Sequence, residues 1–182
     1  MKKLTLLFSL LSLLFISSCR DIANTVLDVL PPFKISNSVT QELPFVSIST
    51  TSYSRTPEIP LNIDVDAKIK ENNPKYGIEN LKSVKLTGLS ATYVSSQLGF
   101  KLDAIKNMRI YIKAPNLPEK LVATVYDNNS ADQINFTTVD TELVDYFKSK
   151  DQSLIVEVQA NFPSADRIRV RLDSNFEFKV QL

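Results

Sequence analysis

The sequence predicts an all-β fold: an antiparallel β-sandwich, immunoglobulin-like or jelly-roll-like, with about nine strands and one short helix. Three observations carry that expectation. Apolar residues recur with a period of two from Phe33 onward, and turn clusters such as Asn72-Asn73-Pro74 and Asp127-Asn128-Asn129 separate the periodic runs. Strands do not alternate with long helical patterns, as a parallel α/β sheet would require. The 182 residues are 43% hydrophobic and 23% charged, enough for one domain to bury a core without disulfides.

The first element is an address. Lys2 and Lys3 precede an apolar run of 13 residues, Leu4 to Ile16, broken only by Thr5, Ser9 and Ser12. Crossing ~30 Å of hydrocarbon takes ~20 apolar residues, so the run is too short to span and has the length of a secretory signal core. It ends Ile16-Ser17-Ser18-Cys19, a branched apolar residue, two small residues and a cysteine. This resembles the lipobox of bacterial lipoproteins. The resemblance covers residues 1–19 and implies that residues 1–18 are a cleaved leader and that Cys19 is diacylated at the mature N-terminus. Arg20, where the sorting rule places Asp for inner-membrane retention, implies the outer membrane of the cell envelope rather than the inner one. Two or three acyl chains hold a protein durably, whereas one binds reversibly.

Residues 19–32 read as the lipidated N-terminus and tether, and residues 33–182 as a single sandwich domain. Ile22, Val26, Val29 and Leu30 share a helical face, yet a loosely packed spacer accounts for them, and Pro31-Pro32 opens an extended stretch. Strands are expected at Phe33–Val39, Pro44–Thr51, Ile59–Lys70, Leu81–Val94, Met108–Ala114, Leu121–Tyr126, Ile134–Val139, Leu154–Phe162 and Ile168–Val180. The third follows from the alternation of Ile59, Leu61, Ile63, Val65, Ala67 and Ile69 with polar residues. In the fourth, apolar residues are even at Val84 and Leu86 but odd at Leu89, Ala91 and Tyr93, so a β-bulge is expected at Thr87-Gly88. Thr141–Ser149 reads as a two-turn helix capped by Asp140, with Leu143, Val144 and Phe147 buried. The last two strands both carry apolar residues at even positions. They are expected to form a hairpin across Pro163-Ser164-Ala165-Asp166, with Arg171 near Glu157.

Composition excludes several chemistries. There is no His and a single Cys, so imidazole triads, Cys-His pairs, thiolate clusters and intrachain disulfides are ruled out. Gly77, Gly88 and Gly99 lie too far apart for a phosphate loop, and no Ser is followed three residues later by Lys. Without Lys2 and Lys3 the mature chain has 19 basic and 20 acidic residues, a net charge of −1, which offers no footprint for nucleic acid.

The remaining candidates are polar clusters. Asn62, Asp64 and Asp66 read as the solvated face of a strand rather than a carboxylate pair. Asp127–Asp132 begins like a calcium loop but lacks its Gly and its bidentate Glu, so a turn is expected and no metal or cofactor. Arg167, Arg169 and Arg171 share one strand face that could meet an anionic partner, although a charged outer face partly neutralised by Glu157 and Asp173 explains them. Tyr111 and Tyr126 fall on polar phases of their strands, where aromatics could meet a sugar or a protein. The expected function is a lipid-anchored, non-catalytic binding or assembly module, with the membrane (through Cys19) and an envelope protein or glycan as partners. A carrier of a glycan or apolar ligand, with a pocket between its sheets or an aromatic-lined groove, and a glycosidase-like enzyme with two carboxylates in a cleft are the alternatives.

Overall fold

The computed structural model describes residues 29–44, 51–162 and 166–181. The leader, Cys19, residues 20–28, most of the expected strand Pro44–Thr51 and the turn residues Pro163–Ala165 lie outside the described residues.

The first strand, β1 (Val29–Pro44), takes in the expected Phe33–Val39 and begins four residues inside the stretch read as tether. The two-residue strands β2 (Ser54–Arg55) and β3 (Ile59–Pro60) follow, then α1 (Val65–Asn72), β4 (Leu81–Ser96), β5 (Ile105–Lys113) and β6 (Lys120–Val125). After them come β7 (Gln133–Asn135), β8 (Thr137–Thr138), α2 (Val144–Lys148), β9 (Ser153–Ala160) and β10 (Arg167–Gln181). One sheet has the order β1-β10-β4-β7. The other runs β2-β9-β5-β6-β8, with β3 also on β9, and every pairing is antiparallel. With β2 and β3 taken as one interrupted strand, this order is the double Greek key of a jelly roll.

Period-two patterning explains most of this. Ile168, Val170, Leu172, Phe176, Phe178 and Val180 on β10 face Leu154, Val156, Val158 and Ala160 on β9 across the core, and all are buried. The bulge sits where the phase slips. Asn175 pairs with Gly88 and Phe176 with Leu86, leaving Thr87 unpaired so that both halves of β4 face inward. Phe147 from α2 closes one end of the core, its ring 4.8 Å from Phe176 and 5.4 Å from Phe178.

Three expectations are corrected. Ile59–Lys70 is not a strand: only Ile59–Pro60 pairs, and a helix begins at Val65. Val65 and Ile69 satisfy both a period of two and an i,i+4 helical spacing, and the polar residues choose the helix. Asp64 caps it by accepting from the Ala67 N–H at 3.0 Å, and Lys70 reaches Asp66 at 2.6 Å, one turn away.

The second correction concerns the final hairpin. β9 and β10 lie in different sheets, so Arg171 stands between Thr40 and Thr92 rather than near Glu157. Matching apolar parity is met face to face as well as edge to edge, and here the chain crosses between sheets. Asp166, fully buried, secures that crossing by accepting from the backbone N–H groups of Gln97, Leu98, Phe100 and Arg167.

The third is the start of α2. Asp140 pairs with Lys85 at 2.7 Å, and Glu142 instead accepts from the Leu143 and Val144 N–H groups while also bonding Val84 N–H at 2.7 Å. A carboxylate that gathers the helix start and β4 together outcompetes one that caps the helix alone.

Candidate functional site

Beyond the register shift that follows Ile105, the strand pleat sends odd-numbered residues of β5 and β9 to the outer face of the second sheet. In register, Arg55 lies opposite Glu157, and Glu157 opposite Arg109, which is opposite Thr124. One row therefore crosses β2, β9, β5 and β6 with a carboxylate between two guanidiniums. Glu157 is 18% exposed and lies 3.7 Å from Arg55 and 3.9 Å from Arg109. Arg55 also pairs with Glu119.

Tyrosines frame this row. The Arg109 guanidinium stacks 4.1 Å from the centre of the Tyr53 ring, with the Tyr126 phenol close enough to act on its charge. The Tyr111 hydroxyl donates to Glu157 at 3.1 Å. Burial, followed by the hydrogen bond to Glu157 and then its charge, pushes the Tyr111 phenol above its ordinary range. Tyr126 is 56% exposed, unusually open for a large ring. The result is a face with anchored cations, exposed aromatic surface and one central acid. It suits a partner that presents carboxylates or aromatic edges.

The residues singled out in the sequence divide between two faces. Tyr111 and Tyr126 belong to this constellation. Arg167, Arg169 and Arg171 are exposed on the outer face of the other sheet, where Arg167 reaches Glu42 at 3.4 Å and Arg171 reaches Asp173 at 2.9 Å. The five do not converge. Sequence reasoning missed Tyr53, Arg55, Glu119 and the central place of Glu157. The first two sit in Thr-Ser-Tyr-Ser-Arg-Thr-Pro, which has no period to read.

A cleft of about 550 Å³ lies beside α1 and α2, lined by residues that include Asp64, Asp66, Phe147, Lys148 and Lys150. Its acids are already engaged: Asp64 caps α1, and Asp66 accepts from Lys70 and from the Ile78 N–H at 2.9 Å. The Lys70 contact and the Ile78 N–H hold the Asp66 carboxyl below its ordinary range, opposite to what a general acid needs. In the Asp127–Asp132 segment, the buried Asn128 amide donates to the Leu102 and Ile105 carbonyls at 2.8 and 3.1 Å, which makes it a structural turn. Among the described residues no three acidic or thiol side chains group as metal ligands, and no helix is long and apolar enough to cross a membrane.

No family model and no curated protein matches the sequence. Among solved structures, the chain is similar to turnip yellow mosaic virus (TM-score 0.34, 11% identity, covering 84% of each chain). It is also similar to the decameric BFDV capsid protein (TM-score 0.36, 7% identity, covering 84% of this chain and 100% of that one). A third is the acid-stable capsid of Helicobacter pylori bacteriophage KHP30 (TM-score 0.30, 10% identity, covering 84% and 100%). Overlaps this loose transfer no chemistry.

Proposed function

We propose that the chain is a lipid-anchored, non-catalytic binding or assembly module of the bacterial envelope. Cys19 holds it at the outer membrane, and the outer face of the second sheet engages a protein partner. The observation that carries the binding half is the Arg55–Glu157–Arg109 row framed by Tyr53, Tyr111 and Tyr126. Arginine and tyrosine dominate binding energy at protein interfaces, because each presents large, partly rigid surface with a polar end. The anchoring half rests on the lipobox and on reach: nine residues, 20–28, separate Cys19 from the start of β1, a span of at most ~35 Å. That keeps the sandwich beside the bilayer. A non-catalytic role is supported by the absence of His and by the structural engagement of the cleft carboxylates.

Cross-linking in intact cells tests the binding face. Arg109→Ala and Tyr126→Ala are expected to lose a captured envelope protein, while Arg169→Ala on the opposite face retains it. Capture unaffected by either face variant ends this reading, and capture of glycan alone replaces the protein partner. For the anchor, Cys19→Ser is expected to release the protein from membranes. Retention without incorporated lipid defeats it.

A further inference from the structure

The strand β1 poses a problem of its own. It has 16 residues, and among the described residues it pairs on one side only, with β10. The other edge strands, β2, β3, β7 and β8, have two or three residues. Long free edges recruit other strands, and proteins ordinarily blunt them with prolines, bulges or charge. Here Pro31, Pro32 and Pro44 and the register break between Leu30 and Phe33 guard only the ends. Between them, Phe33–Leu43 is an unbroken run in which Lys34, Ser36, Ser38, Thr40 and Glu42 are exposed.

We infer that this edge is occupied by β1 of a second copy of the chain, antiparallel, about a two-fold axis at Ser38. This deepens the assembly part of the preceding proposal by naming a partner. The exposed positions of β1 are symmetric in polarity and complementary in charge about Ser38. Rotation sets Lys34 opposite Glu42 of the second copy, Ser36 opposite Thr40, Phe33 opposite Leu43 and Pro32 opposite Pro44. Opposite charges therefore meet twice, apolar ends meet apolar ends, and proline closes the ladder at both ends. Parity is preserved, so inward residues stay inward. An axis at Lys34 or at Glu42 would instead oppose like charges. Glu42 already receives Arg167 from β10 at 3.4 Å, and Lys34 of the second copy would approach from the free side.

Sedimentation of the full chain in detergent tests the state, and cysteine pairing tests the register. The protein is expected to be a dimer. Ser38→Cys should cross-link to itself, whereas Ser36→Cys, four positions from its own mate, should do so at least about tenfold less, because facing Cβ atoms lie ~5 Å apart and offset ones do not. All of this is done beside a Cys19→Ser control. Lys34→Glu and Glu42→Lys should each weaken the dimer about tenfold or more, and the double exchange should restore it, since the pair is then reversed rather than broken. A monomer, equal linking at Ser36 and Ser38, or no restoration overturns the inference. A monomer that still captures an envelope protein removes the edge pairing while leaving the preceding proposal standing.

Discussion

On the outer face of the first sheet the charges of β10 that pair do so singly. Arg167 meets Glu42, Arg171 meets Asp173, and both arginines are about half exposed, at 54% and 51%. On the second sheet a single carboxylate, 18% exposed, receives a phenol hydroxyl and two guanidiniums, one of them stacked on a ring. The two faces carry similar residue types, and what differs is convergence. An isolated exposed pair is screened by water and loses side-chain entropy in forming, so it contributes little. A shared, half-sheltered acceptor fixes several long side chains at once. Their surfaces are then ordered in advance, which lowers the entropy cost of any contact made there.

The comparison can be broken from below. Phe178 lies under both sheets, stacked 5.6 Å from Phe33 and edge-on to Phe147. Phe178→Ala should cost ~3–5 kcal/mol, the usual range for truncating a buried Phe, read from urea unfolding. Both faces should fail in one transition.

Glu157→Ala is expected to cost ~1–2 kcal/mol, since it leaves Tyr111 without its acceptor and Arg109 and Arg55 without their shared carboxylate. Glu157→Gln should recover part of that through the Tyr111 bond. On the opposite face, Arg169→Ala should change stability by less than ~0.5 kcal/mol. Equal losses for Glu157→Ala and Arg169→Ala would erase the distinction between the faces.

The smallest effect is local and depends on pH. Burial alone would raise the Asp166 carboxyl, but the N–H groups of Leu98, Arg167, Phe100 and Gln97 outweigh it and hold it below its ordinary range. A carboxyl lowered by folding stabilises above its unfolded pKa of ~3.9, and that contribution fades as pH falls through the folded value. Amide exchange at Leu98 and Phe100, corrected for intrinsic rates, should therefore be steady from neutral pH down to about 4 and accelerate below it. Unchanged protection in strong acid would contradict the role given to Asp166.

How far the fold was legible depended on whether a pattern had one physical solution. The phase slip at Thr87-Gly88 had one, because only an extra residue keeps Val84 and Leu89 both in the core, and the bulge is there. The alternation from Ile59 to Ile69 had two, and the choice lay in Asp64, Asp66 and Lys70, whose capping and i,i+4 pairing work only in a helix. The parity of β9 and β10 also had two. Deciding between an edge and a face required the whole sheet order. The same holds for the candidate site: Tyr111 was readable from strand phase, whereas Tyr53 and Arg55 reach Arg109 and Glu157 only through the pairing of β2 with β9.

The place of β10 sets the timing of folding. It runs between β1 and β4, and Ser36 bonds Asn175, 139 positions further along the chain. Until the ribosome has made β10, the first sheet is two fragments with a strand's width between them, and closing so long a loop is slow. A chain with this topology cannot complete its first sheet early. The body becomes complete only after the strand that joins its two earliest long elements has been added.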